Sequence, residues 1–176
     1  MKNLLYIFCA AIICVSAVNT AGAQVKNDKR AAKTAAIAAL VDSRNFLFDA
    51  TYVSPQRGGG HALGSPYDVT VTPDTISAYL PYFGEAHLAD YGSTDGGIKV
   101  KWTKFDYKVT VNKKGNKEIL ITPKNISAGD PKAVQSFRFF ISSDGYATLQ
   151  IINLNRDPIS FNGTIEPRNP KVQASL

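Results

Sequence analysis

The segments Val134 to Ser142 and Tyr146 to Asn153 each alternate apolar and polar side chains, and they meet across Ser143-Asp144-Gly145. Alternation with a period of two gives an extended strand one apolar face, and Asp-Gly between two such strands is a strong hairpin signal. The period recurs along most of the chain. In Asn45 to Val53, Phe46, Phe48, Ala50 and Tyr52 share one parity. Tyr67 to Thr72 and Thr75 to Leu80 are joined at Thr72-Pro73-Asp74, where proline fixes φ and removes a donor. Lys101 to Asn112 and Lys117 to Thr122 flank Lys113-Lys114-Gly115-Asn116, and Ile159 to Ile165 follows Arg156-Asp157-Pro158. Eight or so short strands separated by turn chemistry predict an all-β, mainly antiparallel domain, a meander closing as a barrel or a sandwich.

One register detail constrains how such a sheet curls. Ile98, Val100 and Trp102 stand at even positions, whereas Phe105, Tyr107, Val109 and Val111 stand at odd ones. A one-residue slip turns every side chain of a strand to the other face, so a bulge or sharp bend is expected near Thr103-Lys104. Only Asn27 to Asp42 departs from the period of two. Its Ala32, Ala36, Ile37, Leu40 and Val41 fall near helical spacing behind Asn27 or Asp28 as the cap, which predicts one N-terminal α-helix.

The first residues have a different composition. Lys2 precedes an apolar run from Leu4 to Val18, too short to span a bilayer comfortably, and Ala21-Gly22-Ala23 follows as a small-x-small cleavage pattern. We expect a signal peptide over 1–23, the helix within 24–43, the β domain over 44–166 and a flexible tail over 167–176. The product would be periplasmic or secreted and would not span a membrane. Cys9 and Cys14, the chain's two cysteines, fall inside the signal segment, and neither follows a small residue as a lipid anchor requires. Cleavage would therefore leave no disulfide, thiol nucleophile or cysteine metal site. Without Lys2, nineteen basic residues face fourteen acidic ones, a mild excess that calls for no nucleic-acid partner. Eight of the lysines lie between Lys99 and Lys124, a distribution that suits solvated and protected strand faces.

Chemical motifs are sparse. His61 and His87 are the two histidines, neither stands in a metal-binding spacing, and His61, behind Gly58-Gly59-Gly60, is expected to be an ordinary loop residue. Gly58-Gly59-Gly60 lacks the Gly-Lys-Ser/Thr continuation of a phosphate loop, and Ser65 and Ser93 lack the Gly-x-Ser-x-Gly context of a nucleophile elbow. These residues point to no enzyme, metal or cofactor.

The concentrated feature is YLPYFGEAHLADYGSTDGGIK, residues 79 to 99, with four aromatic side chains, four glycines and a histidine. Strand signals end at Pro81 and resume after Asp95-Gly96-Gly97, so a long connection is expected here, and such connections are usually functional or tightly packed. Two roles follow for its side chains. As a lid, Tyr82, Phe83 and Tyr91 would close one end of a barrel with buried rings and backbone-bonded hydroxyls. As a mouth, Tyr82, Phe83, His87, Tyr91 and Asp95 would bind a glycan, lipid-like molecule or peptide. Phe83 is assigned to the lid and Tyr91 to partial exposure, because turn formers flank it.

Taken in order, FDATYVSPQRG, YLPYFGEA, YGSTDGGIK, TKFDYKVT and DGYATLQIINLNRDPISFNGTI resemble the exported domain-of-unknown-function family numbered 4251, from Bacteroides and relatives. The resemblance runs from about Leu40 to Ile165. It implies location and lineage and assigns no catalytic residue, since the family carries no established activity. Asp74-Thr75-Ile76 also resembles the Asp, Ser/Thr, aliphatic O-glycosylation acceptor of that lineage, which marks Thr75 as a candidate modified residue. The resulting expectation is a non-enzymatic, ligand- or protein-binding envelope module. The alternatives are an unusual hydrolase working in the Tyr79–Gly97 region with Asp95, His87 or His61, and a structural partner using an uncovered sheet edge.

Overall fold

A computed structural model describes residues 28–88, 96–113 and 115–168. The chain divides into two compact units, Met1–Ala36 and Ile37–Leu176. Helix α1, residues 28–43, begins in the first unit and ends in the second. No helix among the described residues is long and apolar enough to cross a membrane.

The helix ends on a side chain rather than a glycine. Arg44 takes a left-handed φ of 53°, its N–H donates to the Val41 carbonyl, and the Asn45 N–H donates to that of Leu40. This is a Schellman closure, which glycine usually serves because any Cβ is strained there. Arg44 stays because its guanidinium lies 4.8 Å over the Tyr107 ring. The Tyr107 hydroxyl donates to the Val41 carbonyl at 3.1 Å, and burial pushes its phenol well above the ordinary value. The helix end is thereby docked on the sheet.

Nine strands follow: β1 Phe46–Pro55, β2 His61–Val71, β3 Ile76–Leu80, β4 Ile98–Trp102, β5 Phe105–Val111, β6 Lys117–Pro123, β7 Val134–Ile141, β8 Tyr146–Asn153 and β9 Ile159–Pro167. They form one sheet in the order β4-β3-β2-β1-β9-β8-β7-β6-β5, with every paired neighbour antiparallel. The two outermost strands, β4 and β5, are separated in sequence by Thr103 and Lys104 alone. The sheet therefore curls into a nearly closed barrel, joined at its edges by a chain bend instead of a ladder. The parity change marks this bend. The single strand expected over Lys101 to Asn112 is two strands, one pairing with β3 and the other with β6.

Inward side chains fill the barrel. Phe46 and Phe48 pack edge-on against Phe139, Trp102 lies across Phe137, and Ile76, Leu80, Ile121, Leu149 and Phe161 are fully buried. A filled interior stabilises the fold and leaves any ligand to the rim or the outside.

Strand β2 begins six residues earlier than its alternation suggests, so His61 is a strand residue and not a loop one. Ala50 pairs with Tyr67 but Tyr52 pairs with Ala62, so residues 63–66 stand opposite Thr51 alone. Pro66 has no N–H to donate and falls in this interruption, the kind of place a sheet accepts proline. The bulge hides the strand from a search for alternation.

Candidate functional site

Two regions gather polar and aromatic side chains, and they use them differently. The first is the connection after β3. Residues 81–88 lie against the β8–β9 turn through an isolated antiparallel bridge between Ala86 and Arg156. The His87 N–H donates to the Asn155 carbonyl at 2.8 Å, and the Asp157 N–H donates to that of Glu85 at 3.1 Å. The Tyr82 hydroxyl donates to the Glu85 carbonyl at 3.0 Å and lies 3.2 Å from that of Asp157. Burial, with the nearby Asp157 charge, raises the Tyr82 phenol above its ordinary value, so the hydroxyl remains a donor.

The turn itself is a polar hub. Asn153, Arg156 and Asp157 are each 7% exposed or less. Arg156 lies 4.9 Å over the Tyr82 ring and donates to the Gly96 carbonyl at 2.8 Å. Asn153 Nδ2 donates to the Asp157 carbonyl, and Asn155 Nδ2 donates to the carbonyls of Ala128 and Asp130 in the β6–β7 connection. His87 Nε2 stands 3.1 Å from Asp157 Oδ1, within hydrogen-bond reach. Asp157 Oδ2 and Asn153 Oδ1 are buried and take no hydrogen bond from a described residue.

Tyr82 and His87 thus converge on Asp157, whereas Phe83 does not join them. Successive residues of an extended segment point to opposite sides. With Tyr82 turned inward, Phe83 faces out at 42% exposure, 5.4 Å from the His61 ring. This corrects the expectation that Phe83 is a buried lid residue. Tyr91 and Asp95 lie outside the described residues. Thr75 is half-buried in the β2–β3 turn, beside exposed Pro73 and Asp74. Among the described residues no group of three or more histidine, cysteine, aspartate or glutamate side chains is placed to hold a metal.

The second region is a groove of about 600 Å³ on the outer face of the barrel. A single cross-strand row runs along it: Thr110 pairs with Glu118, Glu118 with Phe140, Phe140 with Thr148, and Thr148 with Asn162; beyond the lining, the row continues from Asn162 to Tyr52, next to the lining residue Thr51. Six strands each contribute one outward side chain. The curvature comes from β1 and β9, where Thr51 is an extra residue in the ladder and Gly163 lies so close to β1 that a Cβ would run into the Asp49 carbonyl. Thr51 Oγ1 donates to the Asn162 carbonyl, and Thr148 Oγ1 donates to Asn162 Oδ1 at 2.8 Å, fixing that amide with its Nδ2 protons left to donate. Ser142 also lines the groove, and its Oγ is buried without a partner among the described residues.

The groove residues belong to no motif, yet the sequence carries a signal of them. Phe140 holds the polar parity of a strand whose inward positions are Phe137, Phe139 and Ile141, and it is 43% exposed. Tyr146 likewise stands outside at 68% exposure, ahead of inward Ala147, Leu149 and Ile151. The hub had a matching signal of opposite sign, since Asn153 continues that inward series.

A family model described as Domain of unknown function (DUF4251) matches residues 28–165. No curated protein matches the chain. The crystal structure of a DUF4251 family protein from Bacteroides eggerthii is similar, with a TM-score of 0.57 at 20% sequence identity over 78% of this chain and 91% of that one. At that identity the likeness speaks to the fold alone. The ordered motifs, the nearly closed barrel and a family match over most of the sequence lead to one conclusion: the chain belongs to the DUF4251 family.

Proposed function

We propose that the protein is an exported, non-enzymatic binding module of the cell envelope, with its ligand seated in the outer groove. The observation that carries this reading is the groove itself, about 600 Å³ in volume with hydrogen-bonding side chains to spare, on a barrel whose interior is already full. That volume lies within the ordinary range for small-molecule sites. Export is supported by the apolar run and small-x-small pattern of residues 1–23. Native mass spectrometry of protein recovered from its own envelope tests the proposal. A co-purifying molecule lost on Phe140→Ala is the expected result; bare protein of unmodified mass would overturn it.

A second reading, an unusual hydrolase, is favoured by the His87 and Asp157 pair, because a buried carboxylate can orient an exposed imidazole as a base. Among the described residues no hydroxyl or thiol is hydrogen-bonded to His87. Turnover of chromogenic ester, amide or glycoside probes that vanishes in His87→Ala would establish this reading. Equal rates in both proteins would dismiss it.

A further inference from the structure

The geometry points to a neutral carbohydrate as the occupant of the outer groove, lying across β7, β8 and β9 with Phe140 and Tyr146 as its stacking surfaces. This inference rests on the groove being the binding site, and it names the ligand class.

Charge narrows the choice first. Among the described residues, Lys117 and Glu118 are the charged side chains that line the groove, and both are already engaged. Lys117 Nζ donates to the Ala38 carbonyl and pairs with Asp42, while Glu118 faces Arg138 at 3.5 Å. A phosphate, a carboxylate or an amine would therefore have to break an existing pair to find a counter-charge.

Hydrogen-bonding type narrows it further. Thr148, Asn162, Thr51 and Ser142 supply hydroxyl and amide groups, which both donate and accept. A sugar hydroxyl has the same double character and is satisfied by such partners without ions. Asn162 offers Nδ2 protons, Thr148 keeps lone pairs after donating to Asn162, and the buried Ser142 Oγ has no partner among the described residues.

Shape completes the case. Phe140, Thr148 and Asn162 are consecutive members of one cross-strand row, so two strand spacings, about 10 Å, separate the aromatic ring from the amide. Tyr146 lies two residues before Thr148 on the same face of β8, about 7 Å along the strand. A pyranose has a C–H face that packs on an aromatic ring and a rim of hydroxyls at right angles to it, which is the division of surface found here. A peptide added as a strand needs a free sheet edge, but β6 to β9 are paired on both sides. A lipid chain needs a deep apolar cavity, and the apolar interior is filled by the protein's own side chains.

The test is an amide-resolved NMR titration of the purified protein with neutral hexasaccharides of glucose, xylose, mannose and N-acetylglucosamine. Parallel titrations use phosphatidylethanolamine vesicles and a tryptic digest of envelope protein. At least one hexasaccharide should saturate shifts confined to β7, β8 and β9. Its affinity should fall about tenfold or more in Phe140→Ala and in Tyr146→Ala, as for a central aromatic contact, with the melting temperature unchanged. Thr148→Val, which keeps shape but removes the hydroxyl, should weaken it as well. No response to any hexasaccharide, or one that survives both aromatic replacements, overturns the carbohydrate assignment. Vesicles or peptides that shift the same amides and lose this effect in Phe140→Ala overturn the ligand class but leave the groove as a site. If nothing shifts those amides, the groove reading falls too.

Discussion

The segment 81–88 and the outer row from Thr110 to Tyr52 contain similar residue types but employ them differently. Residues 81–88 have one isolated bridge in place of a strand ladder, and side chains add to it: Tyr82 caps carbonyls, Arg156 reaches Gly96, and Asn153 ties down Asp157. In the outer row, strand pairing satisfies the backbone, and Thr148 and Asn162 retain capacity for a visitor. At the irregular segment Tyr82, Arg156 and Asn153 Nδ2 are spent on carbonyls, whereas along the regular ladder Asn162 Nδ2 is not spent on the backbone of a described residue.

The harshest way to break this contrast is to damage the ladder beneath the groove. Gly163→Ala would drive a Cβ into the Asp49 carbonyl, forcing β1 and β9 apart at a cost of about 3 kcal/mol or more. Urea unfolding measures this, and near-wild-type stability would contradict the close approach. Next comes the anchor of the irregular segment. Tyr82→Ala should cost about 2 kcal/mol, below the range for fully buried aromatics because the ring is half-buried. Tyr82→Phe, which removes only the hydroxyl, should cost about 1 kcal/mol. Ligand retention should survive both changes, and its loss would shift the site to this end of the barrel.

The aromatics of the outer face should behave in the opposite manner. Phe140→Ala and Tyr146→Ala should change stability by no more than about 0.5 kcal/mol, as at other exposed positions, while removing the retained ligand. A large loss of stability in either would mean that these rings are structural too.

The smallest effect concerns Asp68, which faces Asp49 across β1 and β2. Burial, and then the Asp49 charge, raise its carboxyl above the ordinary value of 3.8. The native state therefore binds this proton more tightly than the unfolded chain does, and ionised Asp68 weighs against folding at neutral pH. Asp68→Asn should raise the melting temperature slightly at pH 7. The advantage should fade as the pH falls through the raised value and vanish below 3.8. A gain independent of pH would point to a cause other than this charge.

Much of the barrel could be read locally. The Asp144-Gly145 hairpin, the Pro73 turn and the parity change at Thr103-Lys104 each depend on a few neighbouring residues, and each has its counterpart in the fold. The helix was equally legible, although its closure on Arg44 was not, because a left-handed arginine needs the Tyr107 ring, sixty-odd residues away, to hold it. Strand β2 was read too short because its bulge hides the alternation. For the same reason His61 passed for a loop residue.

The sequence by itself determined which segments are strands, where they turn and which face is apolar, since period and turn chemistry act over a few residues. Only the tertiary structure decided which polar side chains are consumed and which are left over. Thr51 and Asn162 are 111 residues apart in the chain and meet because β1 and β9 pair across a bulge. The register of six strands builds the outer row, and the approach of Gly163 to β1 bends it into a groove. Such long-range pairing leaves no periodic trace in the residues it joins, apart from a phenylalanine on the polar side of β7 and an asparagine on the apolar side of β8.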